Sequence, residues 1–501
     1  MSASADPLRP LPARDFGFWE ARHLLFRAGF GGTPEQVRAI EGLGLDGAVD
    51  YLVEWDEIPE APVEGDLFDR DIMRPPSESE RREIQRARRD NDQVYLDQVQ
   101  QERQARQRED RQQLDALRKW WITRMIETGR PLQERLTLFW HGHFATGYRE
   151  IEDSWLLFQQ NQFFRRHAAG SFATLARGIV RDPAMLKYLN NDRNVRRSPN
   201  ENLARELMEL FTLGEGNGYP EEDIKQAARA LTGYGVEDNE FRFARPAHDP
   251  AAKTILGRTG PFDGESLVEL LLAQQVCSEF IALKLYRHFV NDLPGPPSAE
   301  AKAAVRTLAA SLRRHDYQLR PALRELFSSR HFYAPENANA VVKGPYDLMV
   351  SSIRSLQLPV RPLSVLLSAG DLMGQSLFQP PTVKGWPGGR TWINTSTLFV
   401  RQNLLVYLVT GRAPTGLGVA ADGADYDPRA LTDALAGVGG TSDEAAAIAE
   451  RLLRFCLGGE PRPERIEAVR ELVAATGNRI DHDRTLALLC LITAMPEYQL
   501  A

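Results

Sequence analysis

"PNENLARELMELFTLGEGNGY", residues 199–219, decides the fold class. Leu203, Leu207, Leu210 and Phe211 fall on one arc of a helix that turns about 100° per residue. Asn202, Glu206 and Glu209 form a line on the opposite arc, flanked by Glu201 and Arg205. The same apolar period of three and four recurs along most of the chain, and few segments alternate as strands do. The fold is therefore expected to be mainly α, a multi-helix globular protein with a small β-hairpin insertion and a C-terminal helical unit. The hairpin is predicted in "YGVEDNEFRFARPAHD", residues 234–249, where Phe241 and Phe243 alternate with polar residues.

Residues 1–79 read as an N-terminal helical segment. Residues 80–119 are strong helix formers with almost no apolar stripe, which predicts a charged, exposed helix or helical hairpin. "SESE", Ser77 to Glu80, has the spacing of a capping box and would start it. Residues 120–411 form the main helical part, 412–428 a linker, and 429–501 a small helical unit.

With 501 residues and 43% apolar side chains, the chain can bury a large core. A net charge of −7 argues against a nucleic-acid partner, which would need a basic face. The three cysteines, Cys277, Cys456 and Cys490, lie far apart in apolar helical text and form neither a disulfide framework nor a metal pair. No uninterrupted apolar leader opens the sequence and no segment reaches the length of a membrane span, so the expected location is the cytoplasm.

Nine histidines are present, and two of them share "FWHGHF", residues 139–144. On a continuous helix His141 and His143 point about 200° apart; a helix ending near Gly142 would bring them to one face. Two readings stay open. Joined by Glu206 and by His248 of "AHDPAAKTILG", they would form a nitrogen and oxygen set for a divalent metal such as zinc, manganese or iron. Otherwise they are core residues hydrogen-bonded to Glu206 or Asp192.

His248 stands beside Asp249, with Lys253 following, just after the hairpin. Either the three serve a site or Asp249 only starts a turn. "FQPPTVKGWPGGRTWINTST", residues 378–397, carries Trp386, Trp392 and Asn394 in a Pro/Gly-rich loop. Indoles with an amide partner suit a sugar or a peptide, and buried indoles merely anchor a loop. Walker A, HExxH, GxSxG and CxxCH sequences are absent, which removes the sequence support for several enzyme classes.

"RHLLFRAGFGGTPEQV", "RPLQERLTLFWHGHFATGY", "PNENLARELMELFTLG", "HDPAAKTILGRTG" and "MGQSLFQPPTVKGWPGGRTWINTSTL" occur in this order. In them the chain resembles the bacterial family known as domain of unknown function 1800, from about Phe18 to the C-terminus. The resemblance assigns no activity. It implies export for many members and gene neighbours of a sulfatase-like family. The motif residues map onto His141, His143, Asn200, Glu201, Asn202, Arg205, Glu206, Glu209, His248, Asp249, Lys253, Trp386 and Trp392. "YLNND" departs from the usual Leu-Asp-Asn at Asn190, and the opening residues as given are not expected to serve as an export leader.

Two functions follow as expectations. The first is a divalent-metal-dependent enzyme, hydrolytic rather than redox. Its metal ligands would be His141, His143, Glu206 and His248, and its catalytic groups Glu206, Glu209, Asp249 and Lys253. Asn200, Asn202, Arg205, Trp386, Trp392 and Asn394 would bind a polar small molecule, a glycan or a peptide. The second is a non-catalytic adaptor or maturation factor for the sulfatase-like neighbour.

Overall fold

A computed structural model describes residues 6–60, 67–412, 421–436, 438 and 444–501. Among these residues 23 α-helices and two antiparallel two-stranded sheets form, as the helical period requires. No single described helix is long and apolar enough to cross a membrane.

The charged segment is a hairpin of helices Glu78–Asp90 and Gln93–Glu127. Ser77 and Glu80 form the expected capping box, and Asn91, at φ 51°, makes the left-handed turn between the two helices. The second helix runs straight through the boundary expected at residue 119. Its outer part is solvated, but Leu114, Leu117, Trp121, Ile122 and Met125 supply a stripe at helical spacing and are buried.

That buried half packs against the helices Pro131–His143 and Ser154–Arg166 around one carboxylate. Glu134 has no exposure and accepts from Arg165 Nε at 2.6 Å, Arg124 Nε at 2.8 Å and Trp121 Nε1 at 3.1 Å. Arg165 also donates to Asn161 Oδ1 at 2.6 Å, and Asn161 Nδ2 reaches His141 Nε2 at 3.0 Å. Burial alone would raise the Glu134 pKa, but Arg165 and Arg124 outweigh it and hold it below the usual carboxylate range.

The hairpin pairs Tyr234–Glu237 with Glu240–Phe243 through Asp238 and Asn239, both at positive φ, as a two-residue turn demands. A second small hairpin, Lys253–Ile255 with Arg258–Gly260, lies where the sequence reading had only a loop. Of the expected linker 412–428, residues 413–420 lie outside the described residues. Its described remainder is bound to the main body: Arg361 donates to Ala424 O at 2.9 Å and Tyr426 to Leu356 O at 2.5 Å. The C-terminal helices share the core with the first helix, Phe18–Ala28, where Arg22 Nε donates to Phe455 O at 2.6 Å.

The Pro/Gly-rich loop closes on the end of the helix Pro131–His143. Gly385, at φ 82°, lies so close that a Cβ there would stand 2.0 Å from the Gly142 carbonyl oxygen. A Cβ on Gly142 would meet only the Trp386 ring, at 3.5 Å. Two stability predictions follow, both read from urea unfolding midpoints. Glu134→Gln should cost about 3–5 kcal/mol, because Arg165 stays buried without its counter-charge, while Arg124 keeps only Glu60. Gly385→Ala should cost about 2 kcal/mol or more, whereas Gly142→Ala should be neutral or gain up to about 1 kcal/mol. Equal costs for the two glycines would contradict the close approach.

Candidate functional site

The helix Pro131–His143 does not break at Gly142, so His141 and His143 face opposite sides. His141 packs among Trp121, Phe164 and Phe378 and ends the Glu134 network. Nε2 of His143 donates to Phe211 O at 3.0 Å, and Nδ1 accepts from Lys284 Nζ at 3.1 Å. Burial drives both imidazoles well below their usual pKa, helped by Arg165 at His141 and by Lys284 at His143, so both are neutral.

The carbonyl that His143 reaches is available for a local reason. The helix Asn202–Glu206 widens into a π-helical turn, Leu207–Thr212, and ends there, so the carbonyls of its last turn have no partner within the helix. Phe211 O takes His143, Leu210 O lies 3.4 Å from Lys284 Nζ, and Leu207 O takes the Thr212 hydroxyl at 2.6 Å. The expected apolar arc of this segment is buried at Leu203, Leu207 and Phe211.

The proposed metal ligands do not converge. His248 uses Nδ1 on Thr232 O at 2.9 Å, beside the hairpin, and Glu206 bonds to none of the three histidines. Among the described residues no group of three or more His, Cys, Asp or Glu is arranged to hold a metal ion.

Several other expected site residues are occupied by structural work. Asp249 accepts from Arg229 Nε at 2.7 Å and from the Ala251 N–H at 2.9 Å. Lys253, 1% exposed, donates to Asp249 O and Ala251 O and so ties down the loop it follows. Asn394 caps the helix Thr395–Thr410 in a capping box with Thr397. Asn200 Oδ1 accepts from the Asn202 N–H at 2.9 Å, while its own N–H goes to Asn194 Oδ1 at 2.9 Å. Asn191 and Asn194 hold the carbonyls of Leu231, Tyr234 and Ala228. Asn190, the departure from the family pattern, has φ 56°, a left-handed position that asparagine tolerates well.

Glu206 and Glu209 are partly buried, at one edge of this framework. Arg205 bridges Glu201 at 3.0 Å, Glu209 at 3.3 Å and Glu221. Glu206 has no hydrogen bond or ion pair among the described residues, and burial followed by the Glu209 charge raises its pKa. Lys384, paired with Glu215 at 2.7 Å, separates these carboxylates from the neighbouring cleft.

That cleft, about 450 Å³, opens between the ends of the helices Pro131–His143 and Gln275–Phe289 and the Pro/Gly-rich loop. His143, Lys284 and Arg287 line one side, Asp292 and Asp347 another, and Trp386 and Trp392 the loop side. Trp392 is buried and Trp386 covers Gly142. Trp386 Nε1 is sealed from solvent with no hydrogen-bond partner among the described residues, a cost to the seated loop of about 1–3 kcal/mol. Asp347 is answered by Arg135 at 2.7 Å and Asp292 by the Val342 N–H at 2.7 Å. Burial lowers the Lys284 pKa to about 8, with Arg287 adding to the effect. Sequence reading missed Lys284, Arg287, Asp292, Asp347 and Arg135. The signal was in "IALKLYRHFV", where Lys284, Arg287 and His288 share one face of an otherwise apolar helix.

The buried histidines make stability pH-dependent. His23, His141, His143 and His288 are all held well below the usual 6.5, chiefly by burial. Below about pH 6.5 the unfolded chain therefore binds more protons at these four sites, and stability falls as pH falls. Asp153 and Asp182, raised to about 6 by burial, act in the opposite sense between about pH 4 and 6. The histidines outnumber them. Urea midpoints should drop steadily from about pH 7 to about pH 5; a flat profile would mean that the imidazoles accept protons inside the fold.

No curated protein and no solved structure matches the chain. A family model does, over residues 23–500, and it covers the motifs described above except the first residue, Arg22, of the first of them. The chain thus belongs to the family described as protein of unknown function DUF1800.

Proposed function

We propose that the protein is an enzyme that performs acid–base chemistry, hydrolysis first among the candidates, on a polar substrate held in the cleft beside Trp386. The observation that supports this reading is the Lys284 amine, 3.1 Å from Nδ1 of a neutral His143 and brought by burial to about 8. A proton donor works best with a pKa close to the working pH. His143 keeps Nδ1 as an acceptor because its other nitrogen is committed to Phe211 O, so it positions the amine.

In this reading Lys284 gives its proton to the leaving group. Asp292, whose pKa burial raises, takes one from water. The Trp386 loop covers the reacting groups and excludes bulk water. A polar small molecule or the end of a glycan or peptide fits a cleft of about 450 Å³.

A second reading has its own support. Asn191, Asn194, Asp249 and Lys253 all hold backbone, as in a scaffold that presents a surface. An adaptor or maturation factor for a sulfatase-like protein would be such a scaffold. Gel filtration with that protein checks it, and failure to co-elute ends it.

The enzyme reading is tested with ester, phosphoester, glycoside and peptide substrates. The rate on at least one class should be level up to about pH 8 and fall above it, as Lys284 loses its proton. Lys284→Met should lower kcat by about 10²–10⁴-fold while circular dichroism stays unchanged. Turnover that survives Lys284→Met, or none on any class, would overturn the assignment.

A further inference from the structure

The cleft has an excess of positive charge. Arg135, Lys284, Arg287 and Lys384 contribute four cations to its lining, against the two carboxylates Asp292 and Asp347. Two of the cations are answered, Arg135 by Asp347 and Lys384 by Glu215 outside the cleft. The other two are not.

Among the described residues Lys284 bonds only to neutral partners, His143 Nδ1 at 3.1 Å and Leu210 O at 3.4 Å, and lies over the Phe280 ring, whose centroid is 4.9 Å away. Arg287 is exposed and makes no hydrogen bond or ion pair among the described residues. The two are three residues apart on the helix Gln275–Phe289 and so adjacent on its surface. Asp292 feels the Arg287 charge through space but forms no ion pair with either cation among the described residues. Its carboxylate accepts from the Val342 N–H at 2.7 Å and lies against Gly389.

We infer that the cleft binds a small molecule through an oxyanion, the chemistry shared by phosphate, sulfate and carboxylate groups, seated between Lys284 and Arg287. An anion there turns repulsion between neighbouring cations into two charge-assisted hydrogen bonds. The remainder of the ligand lies toward Phe139 and Trp386, whose rings give the cleft its apolar side. Gly388 and Gly389, at φ 69° and 55°, bring the loop backbone past this region without side chains. This inference names the ligand class for the site proposed above and rests on that site being the cleft.

The test is calorimetric titration of the full chain with inorganic phosphate, sulfate and acetate, with chloride as the ionic-strength control. Saturable one-to-one binding of at least one oxyanion is expected. It should weaken about 10-fold or more in Lys284→Met and in Arg287→Gln. Arg287 is exposed, so its variant stays informative even if the lysine variant unfolds. Preference for phosphate or sulfate identifies a tetrahedral group, and equal or stronger binding of acetate identifies a carboxylate. Absence of saturable binding of all three overturns the inference, as does binding that Arg287→Gln leaves unchanged. Anion binding without turnover on any substrate would remove the enzyme reading alone. Turnover of uncharged substrates without anion binding would remove the oxyanion alone.

Discussion

Glu134 is a carboxylate without solvent contact, and the placement of three helices depends on it. A buried charge is tolerated only where counter-charges and hydrogen bonds meet it on every side. Here Trp121 and Arg124 arrive from the long helix, and Arg165 from the helix Ser154–Arg166. These two elements thereby fix the roll of the helix Pro131–His143 about its own axis. With the roll fixed, His141 is turned toward Asn161 and into the core, and His143 toward the cleft.

On the cleft side the determining feature is the π-helical turn Leu207–Thr212. A helix that ends at Thr212 leaves the carbonyls of its last turn without intrahelical partners. That terminus offers Phe211 O to His143 and Leu210 O to Lys284, so one helix end orients an imidazole and an amine together. Glu134 thus aims the helix that carries His143, and the backbone end at Thr212 orients that imidazole and the amine beside it.

Much of the fold was legible because helical period and capping chemistry are local. The Ser77 capping box, the β-hairpin within residues 234–249 and the buried arc of Leu203, Leu207 and Phe211 all stand as read. The site was less legible. The spacing of His141 and His143 could not tell whether the helix ends at Gly142, because that depends on what packs against it. Asp249 reads equally as a site residue or as the start of a turn, and Lys253 and Asn394 as site residues; in the structure each satisfies nearby backbone, a role that the same residue types perform. Lys284 and Arg287 went unnoticed because a cation on an amphipathic helix looks solvated until the surrounding elements enclose it.

The hairpin of helices Glu78–Asp90 and Gln93–Glu127 has a consequence for how the molecule tolerates change in length. Register enters the long helix only near Asp110, a buried carboxylate that holds the Ser154 N–H at 3.0 Å and the Tyr148 hydroxyl at 2.8 Å. An inserted or deleted residue between Asp110 and Met125 would rotate Trp121 and Arg124 by about 100° away from Glu134. Near Asn91 the same change falls between solvated turns and reaches neither the core nor the cleft. The outer hairpin is thus a region where the gene can gain or lose codons at little structural expense, whereas the stretch carrying Trp121 admits substitution but no change in count.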